Sequence, residues 1–166
     1  MQVLIRLIDT INARIGRGVA WLSLGLVLVY FAVVLLRYAF DFGSIAMQES
    51  ASYLHALIFM GAAAYTLQND AHVRVDIFYG RWSPRGKARV DLFGSLFLLL
   101  PFAACLLIFS WNYVGAAWGQ LESSAEPGGL PFVYLLKTVI LVMALQLMLQ
   151  ALAQGMKALL SLRASS

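Results

Sequence analysis

The sequence predicts an all-α membrane protein: four transmembrane helices preceded by an N-terminal interfacial amphipathic helix, with both termini cytoplasmic. Three observations carry this. The composition is 61% hydrophobic and only 12% charged, four long stretches lack any Asp, Glu, Lys or Arg, and the basic residues fall almost wholly on one side of those stretches. The uncharged stretches are Gly18–Leu36 (19 residues), Ser50–Asn69 (20), Leu92–Leu121 (30) and Thr138–Met156 (19), and about 20 apolar residues cross a bilayer core. A mean hydropathy of +0.80 excludes a water-soluble globular domain, which carries about 25% charged residues. The connections are shorter than the roughly 50 residues a separate domain needs. Residues 1–166 therefore read as one membrane domain with spans at about 18–37, 50–69, 88–117 and 134–157.

Orientation follows from charge placement. Arg6, Arg14 and Arg17 precede the first span, Arg74, Arg81, Arg85, Lys87 and Arg89 occupy the second loop, and Lys157 and Arg163 end the chain, ten in all against Arg37 and Lys137 in the other two loops. Short cytoplasmic loops retain Lys and Arg, so the ends and the second loop are placed inside. The net charge of +4 then reads as topology and contact with anionic headgroups of membrane lipids, not as a nucleic-acid surface.

The elements follow in order. In residues 1–17, Leu4, Leu7, Ile8, Ile11 and Ile15 recur at helical steps, with Arg6, Asp9, Asn12, Arg14 and Arg17 mainly on other faces, a pattern suited to a helix lying at the interface and not to a secretory signal. Trp21 anchors the first span at headgroup level. The loop Arg37–Glu49 contains Asp41 and Gly43 and reverses the chain outside. In the second span Gly61-Ala62-Ala63-Ala64 permits close helix approach, either within the bundle or against a different subunit. Ser83-Pro84 is a helix start, Ser as cap and Pro at the first position. The helix from Pro84 to about Gly119 would be roughly 54 Å long, so its basic first turns lie below the membrane and Pro101 kinks it within. Gly115 and Gly119 near its outer end read as close packing or fraying. Pro127-Gly128-Gly129-Leu130-Pro131 turns the chain outside. In the fourth span Gln146, Gln150 and Gln154 share a face, and amides facing lipid would go unsatisfied, so that face points at protein.

Catalytic chemistry is not visible. The four uncharged stretches contain one ionisable side chain, His55, apart from the lone Cys105 and the tyrosines, whereas ion or substrate routes through membranes are marked by embedded charges. His55 reads as a hydrogen-bonded interior residue. His55 and His72 are separated by about 25 Å if on one helix, too far to ligate one haem within this chain. No phosphate-binding loop, metal-spaced Cys/His cluster or nucleophile–base set is present, so an enzyme is not expected. On the outer side Asp41, Glu49, Glu122 and Glu126 supply an acidic surface. Glu49 is expected either to cap the second span or to contact a partner.

At His72-Val73-Arg74-Val75-Asp76, directly after Gln68-Asn69-Asp70, the sequence resembles the small membrane subunit of tripartite ATP-independent periplasmic (TRAP) transporters. Arg37-Tyr38-x-Phe40, Gln48-Glu49, Ile77-Phe78-Tyr79, Ser83-Pro84-Arg85 and Gly128-Gly129-Leu130-Pro131 with Lys137 extend the resemblance over most of the chain. Met47 and Gln48 stand where the family commonly has Trp and an acid. The resemblance implies a bacterial inner-membrane brace for a large multi-span permease subunit, which carries sodium and substrate, and a role in docking a periplasmic substrate-binding protein that delivers an organic acid. No cofactor is implied in this chain, sodium belonging to the large partner. Arg37, Glu49, His72, Arg74, Asp76, Glu122 and Glu126 are the expected partner-interface residues, and Gly61, Gln146, Gln150 and Gln154 the expected packing positions. Residues 72–76 have a physical reading of their own: an extended stretch puts His72, Arg74 and Asp76 on one side, where they either bond a partner or fix the turn between helices. The alternative function is a haem- or quinone-associated anchor of a respiratory complex.

Overall fold

The computed structural model describes residues 1–72 and 79–164. All regular structure in them is helical. Helix α1 spans Gln2–Phe40, α2 spans Ile45–Gln68, α3 runs over Pro84–Gly119 and α4 spans Val133–Ala164. Three of them, α1, α3 and α4, are long and apolar enough to cross a membrane. Helix α2 has the length, 24 residues, but Gln48, Ser50, Ser52, Tyr53 and His55 dilute its apolar character.

Helix α1 departs from the expected arrangement. An interfacial helix followed by a separate span requires a bend near residue 17, yet α1 is continuous for 39 residues, about 58 Å. Its first turns do not lay Leu4, Leu7 and Ile11 on a common buried face, since all three are exposed. The buried positions are Ile5, Ile8, Asn12 and Gly16, a stripe at three- and four-residue steps that packs on the bundle. That stripe packs the first turns of α1 on protein, and Gly16 makes the close approach possible. A Cβ there would stand 2.3 Å from Cγ of Tyr65 on α2.

The structure relieves Pro101 differently from a simple kink. Residues Gly94–Leu99 form a π-helical stretch immediately before it, and the Leu100 N–H bonds to the Ser95 carbonyl five residues back. A proline ring collides with the carbonyl four residues earlier, and the wider π turn moves that carbonyl aside. The start of α3 is as its sequence dictates: Ser83 Oγ accepts from the Gly86 N–H at 3.3 Å with Pro84 in the first turn.

Helix α4 touches all three others, while α1 packs on α2 and α4, and α3 packs along α4. Its buried positions include Leu147 and the small residues Ala144, Ala151, Ala153 and Ala158, which admit close neighbours where lipid supplies no hydrophobic drive. Gly155 extends this surface, with Leu96 of α3 3.3 Å from where its Cβ would be. The first turns of α1 and the last turns of α4 meet, Asp9 against Lys157, at one end of the bundle, called here the terminal end. The 41–44 and 120–132 connections lie at the other, the distal end. Asp41, Asp70 and Leu121 sit just past the ends of α1, α2 and α3 with φ of 50°, 54° and 45°, left-handed conformations that close helix C-termini even without glycine.

Candidate functional site

At the distal end, Ser44 caps α2 by accepting from the Met47 N–H at 3.4 Å. Glu49, one turn further on, is therefore not needed as the cap. Its carboxylate reaches the connection between α3 and α4 instead. Oε1 accepts from the Ser124 hydroxyl and Oε2 from the Leu130 N–H at 2.6 Å. These two donors hold the Glu49 carboxyl below its ordinary range, the hydroxyl contributing most.

The glycine-rich connection is shaped to receive this carboxylate. Gly128 takes φ +80°, which glycine adopts at no steric cost. At Gly129 a Cβ would lie 2.5 Å from Ser124 Cβ and 2.8 Å from Glu49 Oε1, so only a residue without one lets the two side chains close. The Ser124 N–H bonds to the Leu130 carbonyl at 3.0 Å, and the Gly129 N–H to the Glu126 carbonyl at 3.0 Å. Ser124 Oγ also accepts from the Glu126 N–H at 3.1 Å. The loop is thus tied both internally and to α2.

A second polar group adjoins it. Glu122 accepts from Lys137 Nζ at 2.5 Å, and the same ammonium lies 4.0 Å from the ring centre of Tyr113, a cation–π contact. Trp118 Nε1 donates to Thr138 Oγ1 at 2.8 Å, while Tyr134 meets Trp118 edge-on at 4.8 Å. Together these lock the distal ends of α3 and α4. Glu122 and Glu49 are structural fasteners in this chain with carboxyl groups still partly open, whereas Glu126 is exposed and Arg37 is exposed in the last turn of α1.

The remaining sequence-selected residues fall elsewhere. Gly61 of α2 faces Val19 of α1, whose Cγ2 stands 3.0 Å from the glycine's absent Cβ. Gln146 and Gln150 are buried, and Gln150 Oε1 accepts from Asn12 Nδ2 at 2.7 Å. Gln154 Nε2 donates to the Leu67 carbonyl at 3.0 Å. One turn beyond, Lys157 Nζ pairs with Asp9 at 2.9 Å. Helix periodicity alone did not single out Asn12 or Asp9 as partners of α4. Asn12 lies on the buried stripe of α1, and Asp9 sits half-buried next to it. His72 is exposed at the terminal end, and Arg74 and Asp76 lie outside the described residues. His55 corrects an expectation: it is exposed on α2, because the α2 face buried in this bundle is the one carrying Ala51 and Ala64. Among the described residues no three His, Cys, Asp or Glu side chains converge as metal ligands.

The geometry is that of a braced, fastened bundle with outward-facing apolar surfaces. Comparison with known proteins gives one match: residues 26–160 fit the family model described as tripartite ATP-independent periplasmic transporters, DctQ component. No curated protein and no solved structure matches the chain.

Proposed function

Since the chain belongs to the DctQ component family of tripartite ATP-independent periplasmic transporters, a family of small membrane subunits that work with a large permease and a periplasmic binding protein, we propose that it braces the sodium-coupled permease subunit and helps dock the binding protein during organic acid uptake. The family assignment favours this over a haem- or quinone-associated anchor. The observation that carries the brace is where the bundle leaves its surface uncovered. The most apolar stretch of α1 contains no buried residue, with Trp21, Val27, Phe31 and Tyr38 among the large side chains exposed along it. The exposed faces of α2 and α3 also carry His55 and Asn112, polar groups that hydrocarbon leaves unsatisfied and a protein neighbour can pair.

On this reading all four helices span the inner membrane, α2 being shielded from lipid by its partners, and the terminal end is cytoplasmic. The distal end then faces the periplasm, with Glu126, Arg37 and the open edges of Glu49 and Glu122 as the polar groups that an incoming binding protein meets. His72, Arg74 and Asp76 are assigned to the inner face of the assembly.

Two experiments test this. In a Cys105→Ala background, a cysteine at exposed Ser123 should react with an impermeant thiol reagent from the periplasmic side only. Reaction from the cytoplasmic side alone overturns the orientation. The chain reconstituted by itself should transport nothing, because its four uncharged stretches hold no carboxylate, Lys or Arg to couple ions to solute. Sodium-dependent uptake of an organic acid by the chain alone overturns the brace.

A further inference from the structure

The terminal end contains two adjoining cavities that the distal fastening does not explain. Helix α3 packs along α4 rather than α2, leaving a gap between α2 and α3 that α4 floors. The larger cavity, about 690 Å³, lies in that gap and is walled by Ala63 and Leu67 of α2, Val90, Gly94 and Leu99 of α3, and Leu147 of α4. The π stretch opens it: Gly94 would meet nothing within 4 Å if given a Cβ. The smaller cavity, about 420 Å³, lies at the first turns of α3 and is lined by Arg81, Trp82, Ser83, Gly86, Arg89 and Val90. Trp82 and Val90 border both, so a basic hollow and an apolar one share a wall.

We propose that the two cavities together bind one phospholipid of net negative charge, of the phosphatidylglycerol type, with its phosphate held by Arg81 and Arg89 and an acyl chain in the apolar cavity. The charges around the start of α3 are not equivalent. Lys87 Nζ lies 5.3 Å from the centre of the Tyr79 ring, and Arg85 and Asp70 are engaged within the protein. Asp91 accepts from Tyr79 Oη at 2.8 Å, and Lys157 pairs with Asp9 at 2.9 Å. Arg81 and Arg89 are exposed and, among the described residues, pair with no carboxylate. The local positive charge that is left over therefore sits on the two arginines of the basic hollow. A guanidinium forks onto phosphate oxygens through two N–H groups, and Gly86 contributes no side chain to fill the space beside them. A zwitterionic headgroup would bring its own ammonium to these unpaired cations and gain less than one of net negative charge. Polarity then runs as it does in a lipid. Val90, Gly94 and Leu99 follow one another along α3 from its basic start into its membrane-crossing portion, and Trp82 stands at the junction, as aromatic side chains do at headgroup level. The inference rests on the reading that the terminal end sits at a headgroup layer. It does not require the permease subunit.

The full-length chain, delipidated in detergent and offered equal amounts of phosphatidylglycerol and phosphatidylethanolamine with identical acyl chains, should show by native mass spectrometry a one-to-one phosphatidylglycerol adduct. It should be favoured over phosphatidylethanolamine by about five-fold, the discrimination of a strong exposed ion pair. Arg81→Gln and Arg89→Gln should each lower that ratio, and together bring it close to one. Arg6→Gln removes an exposed charge of α1 at the same end and should leave the ratio unchanged, which separates a site from general attraction to a basic surface. Leu99→Trp, which fills the apolar cavity, should reduce retention of both lipids, while Ile108→Trp on the exposed face of α3 should change neither. Excess inorganic phosphate should not displace the adduct. Circular dichroism verifies that each variant keeps its helix content. Equal retention of the two lipids by the native chain, retention of neither, or a ratio lowered as much by Arg6→Gln as by the pocket variants overturns the proposal. So does an adduct untouched by Leu99→Trp, or one displaced by phosphate, which would mark a site for the free anion. Because lipid mass is read on this chain alone, failure leaves the transporter reading standing, and a failed transporter reading leaves the lipid result standing.

Discussion

Glu49 and Leu130 are 81 residues apart in sequence, yet the Leu130 N–H donates to Glu49 Oε2 at 2.6 Å. That bond joins α2 to a loop that belongs to α3 and α4, and it turns two separate sequence features, an acid at the start of a span and a Gly-Gly-Leu-Pro turn, into one fastening. The carboxylate needs the glycine, and the glycine-rich turn needs the carboxylate to tie it down.

Gly129→Ala should therefore open the fastening without touching any polar group. The added methyl has no room beside Ser124 and Glu49, and overpacking of this kind costs about 1–3 kcal/mol. Thermal unfolding of the purified chain should show a lowered melting temperature. Alanine at Gly115, a helical position that meets nothing within 4 Å, should not lower it and gains up to about 1 kcal/mol from backbone entropy. A Gly129→Ala chain as stable as the native one would show that the loop relaxes freely and that the fastening holds nothing.

Acid should undo the same contact. The folded-state pKa of Glu49 is lowered from 4.5 by the Ser124 hydroxyl and the Leu130 N–H, so the unfolded chain takes up this proton first as pH falls. The stability due to the shift is fully present above the unfolded value near 4.5 and is lost as pH drops through the lower folded value. Melting temperature measured downward from pH 6 should fall more steeply below 4.5 for the native chain than for Glu49→Gln. Parallel curves would remove Glu49 as the titrating group.

Much of this architecture was legible in the sequence because its signals are local. Ser83-Pro84 announces the start of α3 through cap chemistry that needs no tertiary partner, and the four uncharged stretches mark helices by hydropathy alone. The course of residues 1–17 was not legible in that way. Their apolar spacing suits a membrane surface as well as a protein one, and the choice was made by Gly16 meeting Tyr65 and Asn12 meeting Gln150, contacts between residues far apart in sequence. The distal site divides similarly. Glu49 and the Gly128–Pro131 turn each stood out alone, but only the fold shows that one receives the other. His55 went the opposite way, since an ionisable group in an apolar stretch suggests an interior position in the chain's own bundle, while the fold leaves it exposed on α2.

The two glycines at the start of the first apolar stretch should answer oppositely to the same substitution. Gly16→Ala places a methyl 2.3 Å from Tyr65 Cγ and must push α1 from α2, at a cost of about 1–3 kcal/mol. Gly18 meets nothing within 4 Å, and replacing a helical glycine by alanine gains up to about 1 kcal/mol from backbone entropy. Melting temperatures moving in opposite directions are expected, and a common direction would contradict the placement of the α1 stripe against α2.

The amide pair Asn12–Gln150 gives the sharpest test of that placement, because its prediction concerns a coupling and not a single loss. Both side chains are buried, at 1% and 0% exposure, so removing either leaves the bonded atom of the other, Gln150 Oε1 or Asn12 Nδ2, without its partner. Asn12→Leu and Gln150→Leu should each destabilise by about 1–3 kcal/mol, the cost of stranding a buried polar group. Carried together, the two changes replace a polar contact by an apolar one of similar size, and the double variant should be more stable than the sum of the single losses predicts. Interhelical hydrogen bonds within membranes couple by about 0.6 kcal/mol on average and by less than about 2, so a coupling in that range is expected from the four melting curves. Strict additivity would mean that Asn12 and Gln150 do not meet, and α1 would then regain the freedom to leave the bundle and lie along the membrane surface.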